Sequence, residues 1–499
     1  MPVTPIVVIA DRCQLSFEDC TRTRTLEFIL FPVRVGILRT PQCEDNVSDC
    51  ANSRAFKMEK ATSSIMRPTI KSWGFVLMVL FFIGLCGMYR NRFMKDTLVH
   101  SRQPHYRIIN RTFTSEGACE AKRNFMFVKV HKAGGTTATC IFQRFGYEHN
   151  LTFVLPVIKS DVGWPNFLRQ EDFIPSADGT YNVLVDHTVY NRQLLDHLMP
   201  TDTVYISILR QPLSHLRSVF NWYGLAKKIK GLGRSDPVAS FIKSPNKFHV
   251  PYVKADSHTR YMPFTLEKNF MAYDLGFPLG LSDSQSSIDE FIETLSREID
   301  LVLILEHMDE SLVLLRRRMC WTLKDILYNV APKNLKKYKK TPMSAALLNQ
   351  HRRWSNVDYQ LYDHFKATLW QKIQKEGADF PHEVHHFQNV LKQTTIFCSK
   401  AMVKVPVYDK KHKKVVRWTI KLDLKAGKLT IPKTAWHEEF DIDPTLCIKL
   451  KMEWHDWSHV LKKKHKMPQN LSSGVRRAIS WTNTKVLDKS LLLQIFHVD

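Results

Sequence analysis

The chain has 499 residues, of which 44% are hydrophobic, so it can bury a core and is not a disordered protein. Its formal net charge of +24 indicates an anionic partner, which could be nucleic acid, an acidic membrane surface or a small molecule that bears phosphate and sulfate. The sequence has no zinc-finger spacing, no RNP-like aromatic signature and no CxxC pair among its 10 cysteines, which argues against nucleic acid binding and excludes the obvious structural zinc site.

One uncharged segment, residues 73–89, is predicted to be a transmembrane signal anchor. As a helix it spans about 25 Å, which suits a thin endoplasmic reticulum or Golgi membrane, and it is apolar on every face, which argues against a buried core helix. Basic residues are balanced on its two sides, so the positive-inside rule leaves the orientation open. Glycosylation sequons at Asn110, Asn150 and Asn470 favour a luminal C-terminal side.

The other segments follow from the pattern of apolar residues. Residues 1–72 are predicted to be a poorly ordered cytosolic tail, with an upstream extension as one interpretation of its first fifty residues, and residues 90–118 a stem. Between residues 119 and 399, short apolar strands alternate with helical patterns. This alternation predicts an α/β domain with a mainly parallel sheet flanked by helices.

Residues 400–499 form a basic C-terminal extension to which the sequence assigns no role. A β-like run covers residues 415–420, and Lys462, Lys463 and Lys464 make up one of its basic runs. Such runs are usually solvated faces, and contact with a membrane or a polyanion is the alternative.

A polar loop lies between a predicted buried strand, residues 125–130, and a predicted helix that begins at Thr136 and ends before Gly146. Small residues in such a loop let backbone N–H groups approach an anion, and the helix N-terminus adds partial positive charge. Lys132 supplies a full charge. The lysine precedes the glycines, so the loop is not a Walker A motif, and a glycine-rich turn without a ligand is the alternative interpretation.

A second strand-turn-helix covers residues 203–223. Arg210 falls at the carboxyl end of its strand, where open α/β sheets place ligands. Pro212 is typical of a first helical turn, and Gly224 is expected to end the helix. Ser218 lies eight residues beyond Arg210.

The two motifs together resemble the donor-binding elements of sulfotransferases. In these enzymes a Lys-x-x-x-Thr loop binds the 5′-phosphosulfate of 3′-phosphoadenosine 5′-phosphosulfate, and an arginine and a serine eight positions apart bind its 3′-phosphate. Gln211 stands where aspartate is common. This difference is expected to affect the turn more than the residues that contact the anion. The resemblance implies a P-loop-like sulfotransferase fold and these donor-binding residues: Lys132, Ala133, Gly134, Gly135, Thr136, Thr137, Arg210 and Ser218.

A narrower resemblance, over roughly residues 119–399, is to the galactose 3-O-sulfotransferase family, which includes galactosylceramide sulfotransferases. The residues that carry it are 130–132, 145–146, 209–212, 271–276, 309–315, 320–321 and 361–362. It implies a single-pass type II Golgi membrane protein with a luminal catalytic domain, and a terminal galactose 3-hydroxyl on a glycolipid or glycoprotein as the acceptor. The loop departs from the family at Gly134 and Gly135, where small hydroxyl residues are usual.

Sulfuryl transfer needs a base for the acceptor hydroxyl and positive charge at the leaving oxygen. We expect Lys132 to supply that charge and His187, which follows the apolar strand 183–185, to be the base. Related uronyl 2-O-sulfotransferases are similar in placing a base histidine on the matching strand. A structural role for His187 is the alternative, with Glu306 as the reserve base, and His131 is interpreted as a loop-shaping neighbour.

No metal is expected, because the donor presents a sulfonate and a monophosphate. Residues 382–386 satisfy the zinc protease pattern H-E-x-x-H, but Pro381 indicates that the motif opens a helix and forms a histidine-rich surface. The alternative to an enzyme is a catalytically inactive, membrane-tethered protein that binds glycans or anions. The acceptor glycan and the oligomeric state are left open.

Overall fold

The computed structural model of the protein describes residues 119–157, 161–233, 235–249, 264–329, 342–408 and 415–466. The predicted tail, membrane segment and stem lie outside these ranges, as do the sequons at Asn110 and Asn470. Within the described ranges, no helix is long and apolar enough to cross a membrane.

Four parallel strands form the central sheet, in the order β2–β1–β3–β4. They are β1 (Phe125–Val128), β2 (Val183–Leu184), β3 (Val204–Leu209) and β4 (Leu301–Ile304). Every residue of the four strands is buried, as expected of a parallel sheet covered on both faces. The predicted α/β fold with a parallel sheet is confirmed.

The helices surround this sheet and continue into the C-terminal region. They are α1 (Gly135–Glu148), α2 (Arg192–Asp196), α3 (Pro212–Tyr223), α4 (Leu225–Lys228), α5 (Pro237–Lys243), α6 (Pro245–Phe248), α7 (Phe270–Asp274), α8 (Gln285–Glu298), α9 (Met308–Met319), α10 (Ala345–Trp354), α11 (Asn356–Gln374), α12 (Phe380–Ala401), α13 (Pro444–Lys451) and α14 (Trp454–Lys464). Two antiparallel hairpins lie between α12 and α13: β5 (Met402–Tyr408) with β6 (Val415–Leu422), and β7 (Leu429–Ile431) with β8 (Phe440–Ile442). The β-like run at residues 415–420 is therefore part of a strand.

Aromatic packing holds α1 against β1. The ring of Phe142 lies 5.4 Å from that of Phe125 and 4.9 Å from that of Phe127, measured between centroids. The prediction that the helix ends before Gly146 is wrong, because α1 continues to Glu148. A side chain at Gly146 would collide with the ring of Phe153, so this glycine permits close packing inside the helix.

The predicted ends of α3 are confirmed. Pro212 occupies its first turn, and Gly224 ends it with a φ of 66°. The side-chain oxygen of Gln211 accepts a hydrogen bond of 2.8 Å from the backbone N–H of Ser214. Gln211 therefore caps the helix, which is the role that a shorter acidic side chain commonly performs.

The C-terminal extension packs onto the α/β domain. A disulfide joins Cys398 of α12 to Cys447 of α13, and Trp457 of α14 is completely buried, with its ring 5.7 Å from that of Tyr147. The extension is thus attached covalently to α12 and by an apolar contact to α1. A second disulfide, Cys119–Cys320, ties the start of the described chain to the end of α9.

The solvated-face interpretation of the 462–464 run is wrong for Lys462, which is 7% exposed and electrostatically attracted to Asp186. Lys464 donates a hydrogen bond to the side-chain oxygen of Asn150. Asn150 is exposed, and its glycosylation stays a prediction. Lysines of this run therefore fasten the extension to the domain.

The H-E-x-x-H motif lies in the first turns of α12, which begins at Phe380. Glu383 is fully buried and forms ion pairs with Arg316 and Arg317 of α9. His386 contacts His437 across 2.8 Å. The ion pairs of this carboxylate therefore hold α12 against α9, which is a structural role.

We expect Trp457→Ala to lower the free energy of unfolding by about 3–5 kcal/mol, because it leaves a cavity between α14 and α1. Trp370→Ala on α11 is the matched control, since this tryptophan is 37% exposed and its loss should cost about 1 kcal/mol or less. Urea unfolding of the two variants measures the difference. Equal losses would show that α14 is not part of the folded domain.

Candidate donor-binding and transfer site

The sheet has a switch point between β1 and β3. From β1 the chain crosses to β2 on one side, whereas β3 continues to β4 on the other. Open α/β sheets bind ligands in the crevice outside the carboxyl ends of the strands at such a point. The loop after β1 carries Lys132 and the turn after β3 carries Arg210, so both predicted anion-binding elements meet there.

The loop after β1 has a constrained backbone. Lys132 has a φ of 58° and Gly134 a φ of 93°, both in the left-handed region. A Cβ on Gly134 would lie 2.5 Å from Cδ1 of Leu305. Both the positive φ and the lack of room for a side chain therefore require glycine at this position. This packing explains why a glycine stands at position 134.

The N-terminus of α1 is open to an anion. Gly134 is its N-cap, no side chain caps it, and its first turn contains no acidic residue. The first backbone N–H groups of a helix have no acceptor within the helix, and they carry the positive end of its dipole. Thr136 and Thr137, partly buried in this turn, add hydroxyl donors.

Arg210 joins the two anion-binding elements. Its Nη1 donates a hydrogen bond of 3.1 Å to the backbone oxygen of Lys132. Its Nε is buried and has no hydrogen-bond partner among the described residues. Burial lowers the pKa of Arg210, and the nearby carboxylate of Glu306 acts in the opposite direction. A partly buried guanidinium with an unsatisfied, buried N–H is suited to an anionic ligand.

Ser218 is partly buried and lies two turns into α3, the helix that follows Arg210. Arg210 directly follows β3 and Ser218 lies on α3, so the capped turn at Gln211 sets their separation. The ammonium of Lys132 reaches this helix as well, because it lies 3.8 Å from the ring centroid of Trp222.

His187 lies beyond the end of β2, with its ring stacked on that of His131 at a centroid distance of 3.7 Å. Its Nδ1 is 2.8 Å from the backbone oxygen of Lys129. A carbonyl oxygen only accepts, so Nδ1 carries the proton and Nε2 keeps its lone pair. This is the tautomer that a proton acceptor at Nε2 requires.

The neutral form of His187 is favoured. Burial lowers its pKa well below the ordinary value, and the neighbouring His131 and Lys129 act in the same direction. The environment thus keeps the imidazole unprotonated at neutral pH, which is the state that a general base needs.

Asp274 organises this histidine cluster, and sequence reasoning assigned it no role. Its Oδ2 accepts hydrogen bonds from the backbone N–H of His131, at 2.7 Å, and from His131 Nδ1, at 2.9 Å. Its Oδ1 accepts from Trp164 Nε1 at 2.9 Å. His215, also missed, donates from Nε2 to the backbone oxygen of His131 at 2.8 Å, and burial lowers its pKa to about 3. The interpretation of His131 as a loop-shaping residue agrees with these contacts.

A buried charged cluster adjoins His187 on the side of α14. The Nζ of Lys129 lies 4.0 Å from Oδ1 of Asp186 and 4.7 Å from the ring centroid of Trp454. Burial raises the pKa of Asp186 to about 6, although Lys129 and Lys462 oppose this shift. The C-terminal extension therefore reaches residues that directly precede the histidine.

Glu306 lies apart from this cluster, at the end of β4. Its carboxylate accepts the backbone N–H of Gln211, at 3.0 and 3.2 Å, and the hydroxyl of Tyr362 at 3.2 Å. It therefore stabilises the turn that carries Arg210.

The switch-point crevice, the uncapped N-terminus of α1 and the partly buried guanidinium of Arg210 together have the properties of an anion-binding site. The sequence model of the galactose-3-O-sulfotransferase family matches residues 66–412, more than half of the chain. The chain therefore belongs to the galactose-3-O-sulfotransferase family.

Curated relatives share this region. The chain is 30% identical to human galactosylceramide sulfotransferase over 270 residues, 53% of this chain and 61% of that protein. It is 32% identical to human galactose-3-O-sulfotransferase 2 over 51% of this chain and 62% of that protein, and 34% identical to human galactose-3-O-sulfotransferase 3 over 50% and 57%. The matches span about three-fifths of the length of these relatives.

The low pKa of His187 can be measured by side-chain NMR, with the resonance assigned by its loss in His187→Gln. We expect no titration between pH 7.5 and the unfolded value of about 6.5. Because the native residue binds fewer protons than the unfolded one, its contribution to stability is present above that pH and is lost as the pH falls below it. A midpoint at or above 6.5 would contradict the assignment.

Proposed function

We propose that the protein transfers a sulfuryl group from 3′-phosphoadenosine 5′-phosphosulfate to the 3-hydroxyl of a terminal galactose on a glycolipid or glycoprotein. The observation that carries this proposal is Arg210, whose partly buried guanidinium is hydrogen-bonded to the loop after β1 and has a buried Nε–H without a partner among the described residues. Two linked anion sites suit a donor with phosphates at both its 5′ and 3′ positions. Family membership and the printed names of the relatives support galactose as the acceptor sugar.

The donor supplies an activated sulfuryl group on a 5′-phosphate. In the proposed complex, the backbone N–H groups of Gly135 and Thr136 and the hydroxyls of Thr136 and Thr137 bind that phosphate at the N-terminus of α1. Arg210 and Ser218 bind the 3′-phosphate. The loop residues Ala133 and Gly134 allow the backbone to approach the anion closely.

The proposed transfer uses two side chains of the crevice. His187 accepts the proton of the acceptor hydroxyl at Nε2 as the new S–O bond forms. Lys132 stabilises the negative charge that develops on the phosphate oxygen as the bridging S–O bond breaks. To do so, the Lys132 ammonium must leave the face of Trp222 and move to the donor.

We further propose that the protein is a single-pass type II Golgi membrane protein with its catalytic domain in the lumen. The uncharged segment 73–89 and the sequon at Asn150 support this proposal. The two disulfides, Cys119–Cys320 and Cys398–Cys447, also support it, because disulfides persist in oxidising compartments.

Two substitutions separate the proposed roles. Lys132→Ala should reduce kcat by about 10²-fold or more, since it removes a charge that acts at the leaving oxygen. Arg210→Ala should mainly weaken donor binding, by about 10–100-fold, since it removes a buried charge-assisted contact. Arg353→Ala, at an exposed position of α10, is the control. Transfer of labelled sulfate to a β-galactoside and titration with 3′-phosphoadenosine 5′-phosphate measure the two effects.

The inactive-protein alternative gives a different outcome. It predicts that the wild-type protein binds nucleotide or glycan without transferring sulfate, so that the His187→Ala change has no consequence. Undiminished transfer in both Lys132→Ala and Arg210→Ala would contradict the proposed site.

A further inference from the structure

Trp222 is exposed although it lies on a helix that packs into the core. The indole is 63% exposed, more than any other large hydrophobic side chain among the described residues. It lies on α3 one helical turn beyond Ser218, so it is on the side of the helix that carries the donor-binding serine. Exposure of a large aromatic ring at a candidate active site indicates a contact with substrate.

The ring is located at the transferring end of the crevice. The Nζ of Lys132 lies 3.8 Å from its centroid, a distance typical of a cation–π contact. Lys132 is the group proposed to neutralise the leaving oxygen, so the S–O bond breaks within reach of its side chain. The adenine, attached to the ribose away from its 5′ position, lies further from this point than the sulfuryl group does.

An acceptor sugar must come close to the same point. The attacking hydroxyl has to lie within about 3–3.5 Å of the sulfur for transfer. A ring that the Lys132 side chain contacts is therefore close to the sugar that carries this hydroxyl. Galactose has an axial 4-hydroxyl, so its C3–H, C4–H and C5–H groups share one face and form an apolar patch, which glucose lacks.

We propose that Trp222 is a specificity-determining residue that stacks on the apolar face of the acceptor galactose. The stacking holds the equatorial 3-hydroxyl at the edge of the patch, towards Lys132, and favours galactose over glucose. This inference rests on the proposed function and deepens it, because it identifies the residue that distinguishes the acceptor sugar.

The test compares lactose with cellobiose, two disaccharides that differ only in the configuration of the terminal 4-hydroxyl. Full-length Trp222→Ala and Trp222→Phe are titrated with each sugar in the presence of 3′-phosphoadenosine 5′-phosphate and assayed for transfer. We expect Trp222→Ala to weaken lactose binding and raise its KM by about tenfold, and to abolish most of the preference over cellobiose. Trp222→Phe should retain part of the preference, since it keeps an aromatic face.

Two controls make the result specific. Trp370→Ala, on α11, should leave the lactose KM unchanged. Nucleotide affinity within about twofold of wild type in Trp222→Ala would show that the variant is folded and that the ring does not serve the donor. A lactose KM that is unaltered in Trp222→Ala, or a loss of nucleotide affinity as large as the loss for lactose, would overturn the inference.

The inference and the proposed function fail in different ways. If wild-type protein binds lactose through Trp222 but transfers no sulfate, the proposed function is wrong and the binding site stands. If wild-type protein transfers sulfate and Trp222→Ala does so with the same preference for galactose, the proposed function stands and the inference is wrong.

Discussion

The hydrogen bond from Arg210 to the backbone oxygen of Lys132 is the contact on which the site depends. It spans the switch point between β1 and β3, so it fixes the distance between the helix N-terminus at Gly135 and the guanidinium. Because Lys132 has a left-handed backbone, its carbonyl and its side chain leave the loop in directions that an extended residue would not allow. One contact therefore orients both the arginine and the lysine.

A second constraint sets the protonation state of the crevice. Asp274 holds His131 through its backbone and its ring, and His131 in turn stacks on His187. The carbonyl of Lys129 fixes the tautomer of His187, and burial keeps its pKa low. A buried carboxylate thus acts through a neighbouring ring to position the proposed base, as the outer contacts of catalytic groups commonly do.

The sequence predicts the parallel sheet and both anion-binding turns because these features are local. A buried strand, a loop of small residues and a helix start follow one another within about fifteen residues. The length of α1 was not predictable in this way. Glycine commonly ends a helix, so the sequence predicts an end at Gly146. The close approach of Phe153, which belongs to a later segment, shows that this glycine instead serves packing inside the helix.

The sequence also does not predict which residues pair with the charged side chains, because the partners are distant in sequence. Asp274 is 143 residues from His131, and its motif was noted only as part of a family resemblance. Lys462 belongs to a basic run that usually faces solvent, yet it lies buried near Asp186. Charge patterning reports which side chains are present, whereas the fold decides which of them lose their water.

The proposed function requires that two linked anion sites recognise the two phosphates of one donor. Calorimetric titration with 3′-phosphoadenosine 5′-phosphate and with adenosine 5′-monophosphate tests it directly, since the two nucleotides differ only in the 3′-phosphate. We expect the bisphosphate to bind about 100-fold more tightly, because Arg210 and Ser218 would form charge-assisted hydrogen bonds with the additional phosphate. Equal affinity for the two nucleotides would contradict it.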